Sequence, residues 1–323
     1  MTTTNVVATV AAETGSQEAG RLSGLREAFR SPRLVTGTAI VGFFVLLGII
    51  GPFFAGSPNQ LSHTELAPPS LSHWLGTTQI GQDVFAQMVV SARATLEIGV
   101  GAGLLATLVS VVIGISGGYA GGFIDEVLNL LSNVVLVIPT LPLVIVILAD
   151  VKTSGLLPLI VIIALTSWAA AARVLRAQTL SVRNREYVLA ARASGERAWR
   201  IVFVEILPNE LPIIVSNFIF AMIFAILTQA ALAFIGLGDP TLLTWGNMLN
   251  IAYNDEALSV GAWWWFIPPG LCIALLGMGL ALINFSLDEL LNPRLRVYRA
   301  ARTRAARTRA ARTSVKRGKA GQP

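Results

Sequence analysis

An all-α membrane protein with six transmembrane helices is the fold class this sequence predicts. Three observations point there. The 323 residues are 54% hydrophobic and only 13% charged, where soluble domains carry about 25% charged residues. Six apolar segments are long enough to cross a hydrocarbon layer of ~30 Å as helices, which takes about 20 residues. The basic residues also fall almost entirely on one side of the topology that six spans create.

The segments are Leu34–Ala55, Ile98–Phe123, Val127–Ala149, Leu156–Ala172, Ile213–Phe234 and Trp263–Leu287. None contains Asp, Glu, Lys, Arg or His. In lipid every backbone polar group needs an internal partner, and barrel strands would show short alternating segments, so helices are expected. The first span starts after a polar stretch of thirty-odd residues. Its length suits a retained helix better than a short cleavable signal core, so no removable signal peptide is expected. Cys272 lies in an apolar run and reads as a small buried hydrophobe.

Orientation follows from Lys and Arg. The N-terminal tail, the segment Arg173–Pro212 and the C-terminal tail hold 22 of the 24 basic residues, leaving Arg93 and Lys152 on the other side. Both termini and that segment are therefore expected in the cytoplasm. The net charge of +6 is then a topology signal and calls for no nucleic-acid partner. The expected organisation is a cytoplasmic tail over 1–33, a first helix and outer loop over 34–90, a five-helix core over 91–292 containing a cytoplasmic loop at 173–212, and a basic tail over 293–323.

Outer loops are expected at Gly56–Glu97 and Ile235–Ala262, with Trp263, Trp264 and Trp265 as an aromatic belt. The second span, rich in Gly from Gly99 to Gly122, suits close helix approach at the bundle centre or at a partner interface. The repetitive Arg-rich tail suits attraction to anionic headgroups.

The spans lack the intramembrane ionisable groups that proton-coupled transport uses. No G-x-x-x-x-G-K-[ST] phosphate loop occurs. Uphill transport would need energy from another subunit. An intramembrane serine-hydrolase reading of Gly114–Gly117 has no His or Lys in any span to activate Ser116, which reads instead as a packing serine. His63 and His73, ten residues apart without a cysteine nearby, make no metal site. No catalytic residue, cofactor site or metal site is expected.

The polar insert "EYVLAARASGERAWRIVFVEILPNELP" (Glu186–Pro212) carries the functional reading. It holds good helix formers and a small-residue patch at Ala190, Ala191 and Ala193. Gly195 suits a turn between two short helices. Trp199, Ile201, Val202 and Ile206 suit a second amphipathic piece, closed by Leu207–Pro208–Asn209 before the fifth span. The expected shape is a helix–turn–helix lever whose small residues let another protein approach its backbone.

This insert resembles the "EAA" motif of ABC importer permeases at Glu186, Tyr187, Ala190, Ala191, Gly195, Leu207 and Pro208. Further stretches, "HWLGTTQIGQDVFAQMVVSARATLEIG", "QAALAFIGLGDPTLLTWGNML" and "LNPRLR", are similar to the C-type permeases of dipeptide, oligopeptide, nickel and oligosaccharide importers. The resemblance runs from about residue 25 to 297. It implies the type I importer permease fold in a bacterial or archaeal plasma membrane. The lever would then be a coupling helix docked into a cytoplasmic ATPase subunit. It also implies as partners a second homologous permease, two ATPase subunits that bind ATP and magnesium, and an extracytoplasmic solute-binding protein. Several departures stand out: Glu205 where relatives commonly have His, Asn129 and Asn133 where an Arg and an Asp are usual, and "TTQIGQD" where the family has T-D-x-x-G-R-D. They leave peptide, β-glucan-type oligosaccharide and nickel-chelate substrates open. A membrane scaffold is the non-transport alternative.

Overall fold

A computed structural model describes residues 31–62, 64–150 and 155–291. His63, Lys152, the first thirty residues and the Arg-rich tail lie outside the described residues. Ten helices follow in order: α1 (Pro32–Phe54), α2 (Val84–Ala120), α3 (Gly122–Val137), α4 (Thr140–Asp150), α5 (Leu156–Val182), α6 (Glu186–Ala193), α7 (Ala198–Arg200), α8 (Leu207–Phe234), α9 (Trp245–Asn254) and α10 (Trp263–Leu291). A π-helical turn, Ile201–Ile206, joins α7 to α8. Among the described residues β-pairing is limited to two isolated bridges, Leu61 with Gln82 and Thr77 with Asp83. The chain divides into two compact units, Thr36–Asn284 and the terminal stretches Met1–Val35 with Phe285–Pro323. Of the second unit only 31–35 and 285–291 are described.

Among the described residues five helical stretches are long and apolar enough to cross a membrane, six if the bent pair α3–α4 counts as one span. That pair corrects the expected continuous span Val127–Ala149. Its halves meet at 86°. The cause is local: Ile138 is extended (φ −77, ψ 122) because it precedes Pro139, whose ring excludes the helical conformation from its neighbour.

The second span is also longer than the apolar run. α2 has 37 residues, roughly 55 Å, and starts at Val84 inside the expected outer loop. Asp83 caps it by accepting from the Ala86 N–H at 2.9 Å, and its other oxygen contacts His73 Nδ1 at 2.8 Å. The exposed ion pair Arg93–Glu97 lies on this extension, which an apolar window excludes. Gly121 (φ +68) ends α2 before Phe123.

α2 forms the centre of Thr36–Asn284, packing most heavily on α5 and then on α8. Its glycines make this possible. A Cβ on Gly114 would lie 2.5 Å from Ala172 O, one on Gly118 2.9 Å from Arg176 O, and one on Gly103 3.0 Å from Met222 N. Backbones therefore touch where side chains would stand, and the glycine face packs within this chain. Ser110 Oγ adds an interhelical bond to Trp168 O at 2.7 Å. Three apolar clusters follow α2 from its middle to its end: Ile98, Val144, Ile163 and Leu232 first, Ala106, Trp168 and Ala172 next, and Ile115, Val182, Val188, Ile201 and Ile206 last. Ser116 is exposed on the helix surface and is not a packing serine in this chain.

The expected outer loop Ile235–Ala262 contains α9, capped by Thr244 and tied to the bundle through Trp245 Nε1 to Met88 O at 2.9 Å. Asp239 braces the preceding turn. It accepts from the Thr241 hydroxyl at 2.6 Å, the Thr241 N–H at 2.8 Å and the Gly155 N–H at 2.7 Å. These donors, the Thr241 hydroxyl foremost, hold its carboxyl below the usual carboxylate range. The expected tryptophan belt loses Trp265 to the core. Trp263 is 52% exposed, Trp264 is half-buried and donates to Thr77 O at 3.3 Å, and Trp265 is fully buried.

Candidate functional site

The Gly195 region folds as a short arm at the end of the bundle where α2 stops and α5 ends. α5 runs to Val182, ten residues beyond the apolar span ending at Ala172, so the separate insert is shorter than 173–212. Arg183 fixes the exit by donating to Gly118 O at 2.9 Å. Arg185 is extended, and α6 starts at Glu186, a carboxylate in the first turn where the helix dipole favours it.

α6 has eight residues, too few to hold together on propensity alone. Its anchor is Val188, fully buried against Ile115, Val182, Ile201 and Ile206. Arg192 stacks over the Tyr119 ring at 4.7 Å, a second tie to the end of α2. The opposite face is open: Glu186, Tyr187, Leu189, Ala190 and Ala193 are exposed, while Ala191 is half-buried.

Gly195 is the turn. Its φ of +77 is left-handed, and the Glu196 N–H reaches back to Ala191 O at 3.1 Å while the Ser194 N–H bonds Ala190 O at 2.9 Å. This is the glycine-terminated helix end that satisfies the last carbonyls. Nothing lies within 4 Å of a Cβ built there, so backbone conformation and not crowding within this chain requires glycine.

The return limb differs from a separate amphipathic helix. It continues through the π turn into α8, so lever and span are one rod from Ala198 to Phe234. Pro208 explains the π turn. Proline cannot donate to the carbonyl one turn back and crowds it. The chain widens instead, and Leu207 N–H bonds Val202 O, five residues back. Asn209 Nδ2 takes up Glu205 O at 2.6 Å. Ile201 and Ile206 are buried as the amphipathic pattern requires, but Trp199 is 60% exposed and Phe203 61%. The exposed side of the lever therefore carries Tyr187, Leu189, Trp199 and Phe203 beside Arg192, Arg197 and the Arg200–Glu196 pair.

Two polar contacts beneath the lever join its supports. Arg176 grips Asp125 with two bonds, 2.5 and 2.8 Å, linking α5 to the start of α3. Glu210, fully buried, meets Thr179 Oγ1 at 2.8 Å, linking α8 to α5, and its Oε2 has no partner among the described residues. Asp125 and Arg176 lie just outside the apolar runs. Opposite charges at the same ends of neighbouring spans are the signal that would have paired them. Of the departures, Asn133 accepts from Arg173 at 3.2 Å, and Asn129 is half-buried on α3.

Further along α5 and α8 lies a cavity of about 390 Å³ between α3, α4, α5 and α8. Its walls include Thr166, Ser167, Asn217, Phe220 and Phe224. Among the described residues no three His, Cys, Asp or Glu side chains gather as metal ligands.

Long apolar helices, a glycine-packed centre and an exposed lever continuous with a span define a multi-pass helical membrane protein. The chain belongs to the family of inner membrane components of binding-protein-dependent transport systems, whose family model matches residues 110–297. It is a permease subunit of that class. It is 34% identical over 275 residues to the oligopeptide transport system permease protein OppC of Bacillus subtilis, covering 83% of this chain and 88% of that protein. It is 32% identical over 267 residues to the dipeptide permease DppC of the same organism, covering 81% and 82%. A probable peptide ABC transporter permease of Sinorhizobium fredii, y4tQ, is 33% identical over 272 residues, covering 84% and 92%.

Proposed function

We propose that this chain is one of two homologous permeases of an ATP-driven peptide importer, and that the lever at 183–208 receives the work of ATP hydrolysis. The observation that carries the reading is the rigid return limb. The arm's return limb, from Ala198 on, continues without a break into α8, and α6 packs on it through Val188 against Ile201 and Ile206, so displacing the arm moves a membrane span directly. The open face of Tyr187, Ala190, Ala193 and Gly195 suits a groove on a cytoplasmic ATPase, with Glu186 and the arginines setting register.

In this reading the lever and both termini are cytoplasmic, supported by the 22 of 24 basic residues on that side. ATP and magnesium bind to two ATPase subunits, and this chain binds neither. An extracytoplasmic solute-binding protein delivers substrate at the end that carries α9. Peptide is favoured over oligosaccharide or nickel chelate because the relatives are named for oligopeptides and dipeptides.

The test is uptake of a labelled oligopeptide in cells lacking this gene. Wild type should restore uptake. Glu186→Lys, and a bulky residue at Gly195, should insert and assemble normally yet hydrolyse ATP without uptake. Full transport by both variants contradicts the coupling role. Uptake competed by oligosaccharide but not by peptide contradicts the substrate class.

A further inference from the structure

The cavity between α3, α4, α5 and α8 has a hydrogen-bonding pattern of its own. On α8, Asn217, Phe220, Ala221 and Phe224 line it at steps of three, four and seven residues, one helix face. On α5, Thr166 and Ser167 face it beside the small side chains of Ala169 and Ala170. No ionisable side chain among the described residues lines it.

The hydroxyl protons are already committed. Thr166 Oγ1 lies 3.0 Å from both Ile162 O and Ile163 O, and Ser167 Oγ donates to Ile163 O at 2.7 Å. Each hydroxyl therefore offers the cavity only acceptor lone pairs. Asn217 is the opposite case: its Nδ2 is buried and has no partner among the described residues. An unsatisfied buried donor is destabilising, and an acceptor in the cavity would relieve it after a rotation of the amide.

One spare donor, adjacent acceptors and no charge, set in apolar walls, match a neutral C=O and N–H pair flanked by variable groups. They do not match a chain terminus, which needs a counter-charge, or a sugar, whose many hydroxyls need many polar partners. We infer that this cavity is a substrate subsite for a peptide unit in transit: Asn217 donates to a backbone carbonyl, and the Thr166 and Ser167 oxygens accept from a backbone N–H. The subsite reads backbone and leaves side chains to the apolar walls, so it tolerates diverse sequences. This rests on the peptide-import reading above.

The experiment uses the complete importer in proteoliposomes, with its second permease, ATPases and loaded binding protein. Substrates are a labelled tripeptide and its analogues with either of its two amides replaced by an ester, which lacks the N–H. Asn217→Leu and Asn217→Ala should lower tripeptide uptake by about threefold to tenfold, the worth of one neutral hydrogen bond. ATP hydrolysis without binding protein should stay unchanged. Asn217→Gln, which keeps the amide, should recover most uptake, and wild type should carry the esters more slowly than the tripeptide. Wild-type uptake by the Leu and Ala variants overturns the subsite. So does an equal loss of the basal ATP hydrolysis, which marks a structural role. Absence of tripeptide uptake by wild type is a different failure, of the peptide-import reading itself.

Discussion

Replacing Gly195 isolates one physical quantity. Its φ of +77 is a left-handed conformation that costs an L residue with a Cβ about 1–2 kcal/mol. No atom stands within 4 Å of the added Cβ, so no steric contribution from this chain is expected. The cost falls on the turn that closes α6, where Ser194 and Glu196 N–H groups hold Ala190 O and Ala191 O. A penalty of 1–2 kcal/mol raises the open fraction of such a turn by about 5- to 30-fold. Hydrogen exchange of the Ser194, Gly195 and Glu196 amides, measured on protein in nanodiscs, reads that fraction. Gly195→Ala should exchange faster than wild type by that factor and Gly195→Val faster still, while Gly195→Asn, which tolerates the left-handed region, should stay near wild type. Alanine exchanging like wild type, or asparagine faster than alanine, would refute the conformational argument.

Other outcomes follow from the same packing. Gly114→Ala places a Cβ 2.5 Å from Ala172 O and should lower the melting temperature in detergent, whereas Gly277→Ala, with nothing within 4 Å, should leave it unchanged. Asp125→Asn should cost about 1–3 kcal/mol, between the exposed and buried limits for an ion pair, because Asp125 and Arg176 side chains are 15% and 27% exposed. The charge-swapped double variant should recover part of that loss in thermal unfolding. Glu210→Leu should cost little or stabilise, since it removes a buried oxygen without a partner and Thr179 keeps its bond to Leu175 O at 2.9 Å. Asp239 is held below its ordinary pKa, so its contribution is present above the unfolded carboxylate value and is lost as pH falls through the folded one. Acidification through that range should speed exchange at the Gly155 amide, and Asp239→Asn should remove most of the pH dependence.

The spans were readable because each is an apolar run near membrane length, and the lever because Gly195 interrupts a run of helix formers. The 86° break at Ile138–Pro139 was not readable, since a proline in an apolar run also fits a kinked continuous helix. The first turns of α2 were hidden by Arg93 and Glu97, charges that helix propensity tolerates but a hydropathy window rejects. Glu210 lies in the polar insert, three residues before the fifth apolar run. Its burial depends on Thr179, thirty-one residues away on another helix, a pairing that no local pattern encodes. Trp265 was hidden in the same way, because three adjacent tryptophans on a helix point in three directions and only Trp265 turns fully into the core.

The lever is expected to meet the ATPase. A single cysteine introduced at Ala190, exposed on α6, tests it most directly, because the native Cys272 is buried. In the assembled importer the Ala190→Cys variant should crosslink to an ATPase subunit through a short bifunctional reagent and lose uptake. Asn254→Cys on the exposed end of α9 should crosslink to the binding protein instead. An Ala190→Cys variant that is accessible to the reagent yet never joins the ATPase, or an Asn254→Cys variant that does, would rule out coupling through the lever.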